Sequence, residues 1–188
     1  NSGKSAGIDI DAHTYIHEHG HNMGLEDYYD YDKKHDPLGK IDMQDCNVGD
    51  HNAYTKMAFG WSTPYVVTGE CTITISAAES TGQCILVTDP NKQYNGNAFS
   101  EYLLLELLTP TRLWKQDATH SYPSLGQKTF TRPGVRMLHV DSRLVDHNNK
   151  FADKTSNKSI YGLAYSNTPS QSYSKGSGGI YDDLIAFI

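Results

Sequence analysis

Five positions near the start of the chain constrain it most: His17, Glu18, His21, Gly24 and Asp27, in the pattern His-Glu-x-x-His-x-x-Gly-x-x-Asp. Two histidines four residues apart share one face only if the segment is helical. A glycine three residues after the second is a natural helix stop. The pattern therefore predicts a helix that is cut short, followed by a chain reversal that returns a carboxylate toward the imidazoles. Residues from about Asp9 to Asn22 read as that helix, with Asp9 or Asp11 as N-cap and Ile8, Ala12, Ile16 and Met23 recurring at helical spacing.

Such a helix carries specific chemistry. His17 and His21 on one face are suited to share a zinc ion, and Asp27 completes the three protein ligands that a catalytic zinc takes, leaving one position open. Glu18 sits about 100° round the helix from His17 and so flanks the metal without binding it. That is the position of a general base that takes a proton from a zinc-activated water and passes it to a leaving amine. A chance match of the three-residue core is expected on the order of once in thirty such chains, and Gly24 with Asp27 lowers that by roughly a further hundredfold or more. His13 and His19 share the helix but are read as non-ligands, the first at the edge of the site and the second pointing elsewhere.

After Asn22 the period changes. Residues 26 to 50 are loop-like and rich in Asp, Tyr, Gly and Pro, and His51 to Trp61 reads as a second helix. From residue 65 onward the chain has strand signals: Tyr65 to Val67, Cys71 to Ile75, Ile85 to Thr88, Tyr102 to Leu107, Val135 to Val140, and a final apolar run ending at Ile188. Turn signals lie between them, and Ser166 to Gly179 is a Ser/Tyr/Gly-rich loop. The expected organisation is α+β, with residues 1–64 as one unit and residues 65–188 as a β-rich unit that looks cut off at its C-terminus.

Bulk properties exclude some partners. The chain of 188 residues has a formal charge of −6 and scattered Lys and Arg, which disfavours nucleic acid. No apolar run approaches the roughly 20 residues of a membrane span, and residues 1–7 do not form a signal peptide. Three cysteines, Cys46, Cys71 and Cys84, make no framework; a Cys71 to Cys84 bridge is conceivable, and buried free thiols are the simpler expectation.

The extended motif resembles that of the metzincin clan with Asp27 in place of the usual third histidine, and in this form it is similar to the immune inhibitor A-like zinc metallopeptidases of bacteria. The run Leu38 to Asp45 and the pair Gly60-Trp61 resemble the same family, as do Glu101 to Glu106 and Gly134 to Asp141, so that the likeness covers roughly residues 8 to 143. It implies the C-terminal part of a metzincin-like catalytic domain, comprising active-site helix, Met-turn and second helix, followed by a β-sandwich-like domain. It implies that Met43 is the methionine of the turn beneath the zinc. It also implies a secreted or cell-surface zinc endopeptidase acting on protein or peptide substrates, with an N-terminal half of the catalytic domain in the longer protein.

Other readings stand beside this one. The carboxylates of Glu26, Asp30, Asp32, Asp36, Asp42, Asp45 and Asp50 make calcium a candidate second cofactor, against solvated turns and caps. Tyr54 is a candidate oxyanion stabiliser, against ordinary packing. Glu106, His139 and Asp141 are expected to be paired within the β-rich part, with Arg136 or Arg143 as partners for Glu106. The alternative function is a zinc-stabilised β-rich binding module without catalysis, for which a closed four-ligand site including Cys46 would speak. A metal-dependent hydrolase of non-peptide substrates ranks last, because no phosphate-cradling glycine loop or second ligand cluster is present.

Overall fold

The computed structural model describes residues 12–47, 49–89, 97–119, 130–145, 162–168, 172 and 183–188. Within them the protein is mixed α and β, built on one five-stranded sheet. In chain order the elements are α1 (His13–Asn22), α2 (Ala53–Ala58), β1 (Tyr65–Val67), α3 (Ala78–Thr81), β2 (Ile85–Val87), β3 (Glu101–Leu108), a 3-10 turn (Arg112–Trp114), α4 (Lys115–Thr119), β4 (Gly134–Asp141), β5 (Leu144–Val145), β6 (Gly162–Leu163) and β7 (Ile185–Phe187). The sheet order is β1-β2-β3-β4-β7, and β5 with β6 forms a separate two-stranded ribbon. Only the β1–β2 pair is parallel.

The long antiparallel pair β3–β4 is the spine. Its register sets Glu106 opposite Arg136 and Leu104 opposite Leu138. In β3 the alternation of half-buried and buried residues puts Tyr102, Leu104, Glu106 and Leu108 on the inner face, as a period of two requires. Tyr102 and Leu104 join a core that also contains Tyr28, Leu38, Ala53, Tyr54, Cys84, Leu86, Val140, Leu184 and Ile185, while Leu108 packs with Ala78 and Trp114 in a second cluster. Residues from both sides of position 65 thus share one buried cluster, and the change of period there marks where helices and loops give way to strands.

Burying Glu106 on an apolar face requires a partner, and Arg136 supplies it. Arg136 Nε donates to Glu106 Oε1 at 2.6 Å, Nη1 donates to the carbonyl of Ile41 at 2.7 Å, and the guanidinium lies 5.5 Å from the Trp114 ring centroid. Both side chains of the pair are almost wholly buried. Of the two arginines expected as partners, Arg136 takes the role; Arg143 pairs with Asp141 at 2.6 to 2.7 Å, and His139 pairs with Glu101 at 3.3 Å.

Three expectations are corrected. Cys71 to Ile75 alternates like a strand yet forms none: among the described residues no strand pairs with it, and β1 takes the place beside β2. The three cysteines are free, with no Cys71 to Cys84 bridge, but of the thiols expected to be buried only Cys84 is, Cys46 being half-buried and Cys71 exposed. The apolar positions Ile16 and Met23 of α1 are exposed, whereas His17 and Gly20 are the residues the helix buries. The expected caps Asp9 and Asp11 lie outside the described residues, as do Pro90-Asn91 and Asn95-Gly96 of the turn signals Asp89-Pro90-Asn91 and Asn95-Gly96-Asn97.

Candidate metal centre

Helix α1 ends where its sequence demands. Beyond the last turn, Gly24 takes φ +97°, the Gly24 N–H bonds the carbonyl of His21 at 3.0 Å, and the Leu25 N–H bonds the carbonyl of Gly20 at 3.0 Å. This is the double bond of a Schellman stop, which needs a left-handed residue at the position Gly24 fills. The reversal sends residues 25 to 27 back along the helix. Gly20 permits a second close approach: a Cβ there would lie 2.5 Å from Oε1 of the wholly buried Gln44, whose Nε2 donates to the His17 carbonyl at 3.3 Å.

Three donor atoms meet in the space this leaves. His17 Nε2 and His21 Nε2 are 3.1 Å apart, and Asp27 Oδ1 lies 2.9 Å from the first and 3.2 Å from the second. A tetrahedral zinc with bonds of about 2.0 Å has ligand edges of about 3.3 Å, so the triangle is close to the required size. Among the described residues this is the one group of three or more His, Cys, Asp or Glu side chains gathered tightly enough to hold a metal ion.

The hydrogen bonds fix which atoms of the three side chains face one another. His17 Nδ1 faces the Met43 carbonyl at 2.9 Å, and His21 Nδ1 faces the Leu25 carbonyl at 2.8 Å. A carbonyl only accepts, so each Nδ1 carries the proton and each neutral ring turns its Nε2 lone pair inward. Asp27 Oδ1 is buried and without a hydrogen-bond donor. With both rings neutral, two imidazole lone pairs and a carboxylate oxygen face one another, a donor set that could hold a metal ion. Without a metal, a second proton on His17 serves: its hydrogen bond to Asp27 is the largest influence raising His17 above its usual range, against the effect of burial. Burial pushes Asp27 up, but His17, Tyr31 and the charge of His21 together hold it below the ordinary carboxylate value. Carbonyl acceptors on the far ring nitrogens are the usual outer support of metal-binding histidines.

Each expected site residue has a definite place. Glu18 is exposed on α1, adjacent to His17, and its charge acts on that imidazole. Met43 is buried, and its carbonyl is the atom that holds His17. Tyr54 lies in the core with Tyr28, ring centroids 6.5 Å apart, with Ser142 hydrogen-bonded to its hydroxyl, and is not one of the groups around His17, His21 and Asp27. His13 bonds the Asn47 carbonyl through Nδ1, and His19 is exposed. Neither joins the cluster.

The acidic loop is occupied with turns. Asp30 accepts from the N–H groups of Asp32 and Lys34, Asp42 from those of Gln44 and Asn52, and Asp50 from that of His51 and from the Lys56 ammonium. Asp36 pairs with Lys40 and Asp32 with Lys34. The candidate calcium ligands do not gather with one another among the described residues.

Two tyrosines that the sequence reading passed over frame the site. Tyr31 donates its hydroxyl to Asp27 Oδ2 at 2.5 Å, and the Tyr29 ring stacks against His17 with centroids 6.4 Å apart and planes 19° from parallel. Burial, reinforced by Asp27, holds the Tyr29 phenol well above its usual range, so it remains protonated. The available signal was their position two and four residues after Asp27 in a tyrosine run. Comparison with protein-family models, with curated proteins and with solved structures gives no match.

Proposed function

We propose that this chain carries the zinc centre of a secreted or cell-surface metalloendopeptidase that hydrolyses peptide bonds in protein substrates. The observation that carries the reading is the convergence of His17 Nε2, His21 Nε2 and Asp27 Oδ1, each held with its lone pair inward, beside an exposed Glu18. Zinc, when bound, would polarise the substrate carbonyl and make water acidic enough to be deprotonated near neutral pH. His17, His21 and Asp27 would hold the ion through Nε2, Nε2 and Oδ1. Glu18 accepts the proton of the attacking water and delivers it to the amine as the peptide bond breaks. Tyr31 and the Met43 and Leu25 carbonyls orient the ligands and keep them from taking up other contacts.

In this reading α1, the turn at Met43 and α2 are the C-terminal part of a metzincin-like catalytic domain, and the sheet belongs to the β-sandwich-like domain that follows. The rival, a closed structural zinc site, calls for a fourth protein ligand. Cys46 is the fourth ligand such a site would recruit, but it is hydrogen-bonded to Asp45 and outside the cluster, with burial pushing its thiol up to about 12. A structural site also has no use for Glu18.

The test is Glu18→Gln in the protein that carries this chain, with cleavage of an unfolded protein substrate and zinc content both measured. Cleavage should fall by about 10²- to 10⁴-fold while zinc stays bound. Undiminished cleavage contradicts the mechanism.

A further inference from the structure

The zinc-ligand loop is gripped by a part of the chain almost 140 residues away, and the grip is polar and specific. Asn167 is wholly buried. Its Oδ1 accepts the N–H of Ile185 at 3.0 Å, which fixes the amide orientation, and its Nδ2 then donates to the carbonyls of Tyr28 at 2.8 Å and Ile185 at 2.9 Å. Rotating the amide would set an oxygen against two carbonyls, so only one arrangement satisfies all three groups. Thr168 adds a bond from its hydroxyl to the Tyr29 carbonyl at 3.1 Å.

Tyr28 is the residue next to Asp27, and every polar atom it has is spoken for. Its N–H bonds the Gln44 carbonyl at 2.9 Å, its hydroxyl meets Thr55 Oγ1 at 2.8 Å, and its carbonyl takes Asn167. Farther along the same loop, His35 bridges Asp30 at 3.3 Å and Asp183 at 3.1 Å, and the Phe187 N–H bonds the Pro37 carbonyl at 2.9 Å. The loop has no regular secondary structure between Leu25 and Leu38 to hold it. Asp27 itself takes the hydroxyl of Tyr31, an exposed side chain, on Oδ2 at 2.5 Å.

We infer that Asn167, seconded by Thr168, is a positioning residue for the metal centre: by clamping the backbone of Tyr28 to β7 it sets where Asp27 Oδ1 stands relative to the two histidines. This rests on the metal-site reading above. The histidines do not need the clamp, because α1 and the Met43 and Leu25 carbonyls hold them. Loss of the clamp therefore acts on the oxygen ligand and spares the two nitrogens.

The experiment is Co²⁺ titration of the full chain, read by visible absorption, for wild type, Asn167→Ala, Thr168→Val, Asp27→Ala and a control, Ala78→Gly, in α3, which packs on β3 and the 3-10 turn. Wild type that takes up no cobalt refutes the metal-site reading itself. If wild type binds, Asn167→Ala should bind about tenfold more weakly, with its spectrum moved toward that of Asp27→Ala, while Ala78→Gly binds as wild type does. Wild-type affinity and spectrum in a folded Asn167→Ala overturn the inference and leave the metal site standing. Should Asn167→Ala fail to fold, Thr168→Val decides alone: a roughly threefold loss with the same spectral direction supports the clamp, and unchanged binding overturns it.

Discussion

The two halves of the candidate centre are built on opposite principles. His17, Glu18 and His21 lie within five residues of one helix, and their mutual placement follows from helix geometry. Asp27 comes from irregular chain, and its placement depends on Gln44, Thr55, Asn167 and Ile185, which are 17 to 158 residues distant in sequence. A short-range motif can name the first half. The second half exists only after the sheet has formed, and the same is true of the turn at Met43, which Arg136 anchors through the Ile41 carbonyl. The candidate centre is accordingly half local and half tertiary, and disturbing the sheet should affect the halves unequally.

The largest effect expected from testing this comparison is on Arg136→Ala. It would leave Glu106 buried without its cation, next to the α2 backbone at Ala53, and free the Ile41 carbonyl. Breaking one side of a buried pair costs about 3–5 kcal/mol, so denaturant unfolding should show a destabilisation of that order. A loss below about 1 kcal/mol would mean that the pair behaves as a surface bridge and that the turn does not depend on it.

A smaller effect probes where the two halves touch. Gly20→Ala places a methyl against Gln44, which is wholly buried and bonded to the His17 carbonyl. Alanine alone would favour the helix by about 1 kcal/mol, yet overpacking of a locked neighbour costs about 1–3 kcal/mol. Net destabilisation is expected in thermal unfolding, and net stabilisation would show that helix and turn are less tightly fitted than the geometry indicates.

The division between local and tertiary also marks what could be read from the residues alone. The helix, its stop at Gly24, the return of Asp27, the second helix and all five strands of the sheet were visible as spacing and period. Cys71 to Ile75 alternates apolar and polar residues as a half-buried strand would, yet forms none, because pairing partners are not written in a segment's own pattern. Ile16 and Met23 gave α1 an apolar face, but the buried face is the one carrying His17 and Gly20, since the ligands must point inward to meet Asp27. Asn167 had no signal at all. It sits in a Ser/Tyr/Gly-rich stretch, and its importance comes from bonds to Tyr28 and Ile185 that appear only when β7 joins the sheet.

The central claim is that three inward-facing groups form an open metal site. It is tested most directly by metal analysis with X-ray absorption at the zinc edge, on wild type and Asp27→Ala. The account predicts about one zinc per chain, bound by two imidazole nitrogens with oxygen completing the sphere, and a marked loss of zinc in Asp27→Ala. Sulfur in the coordination sphere, or zinc retained undiminished in Asp27→Ala, would contradict it.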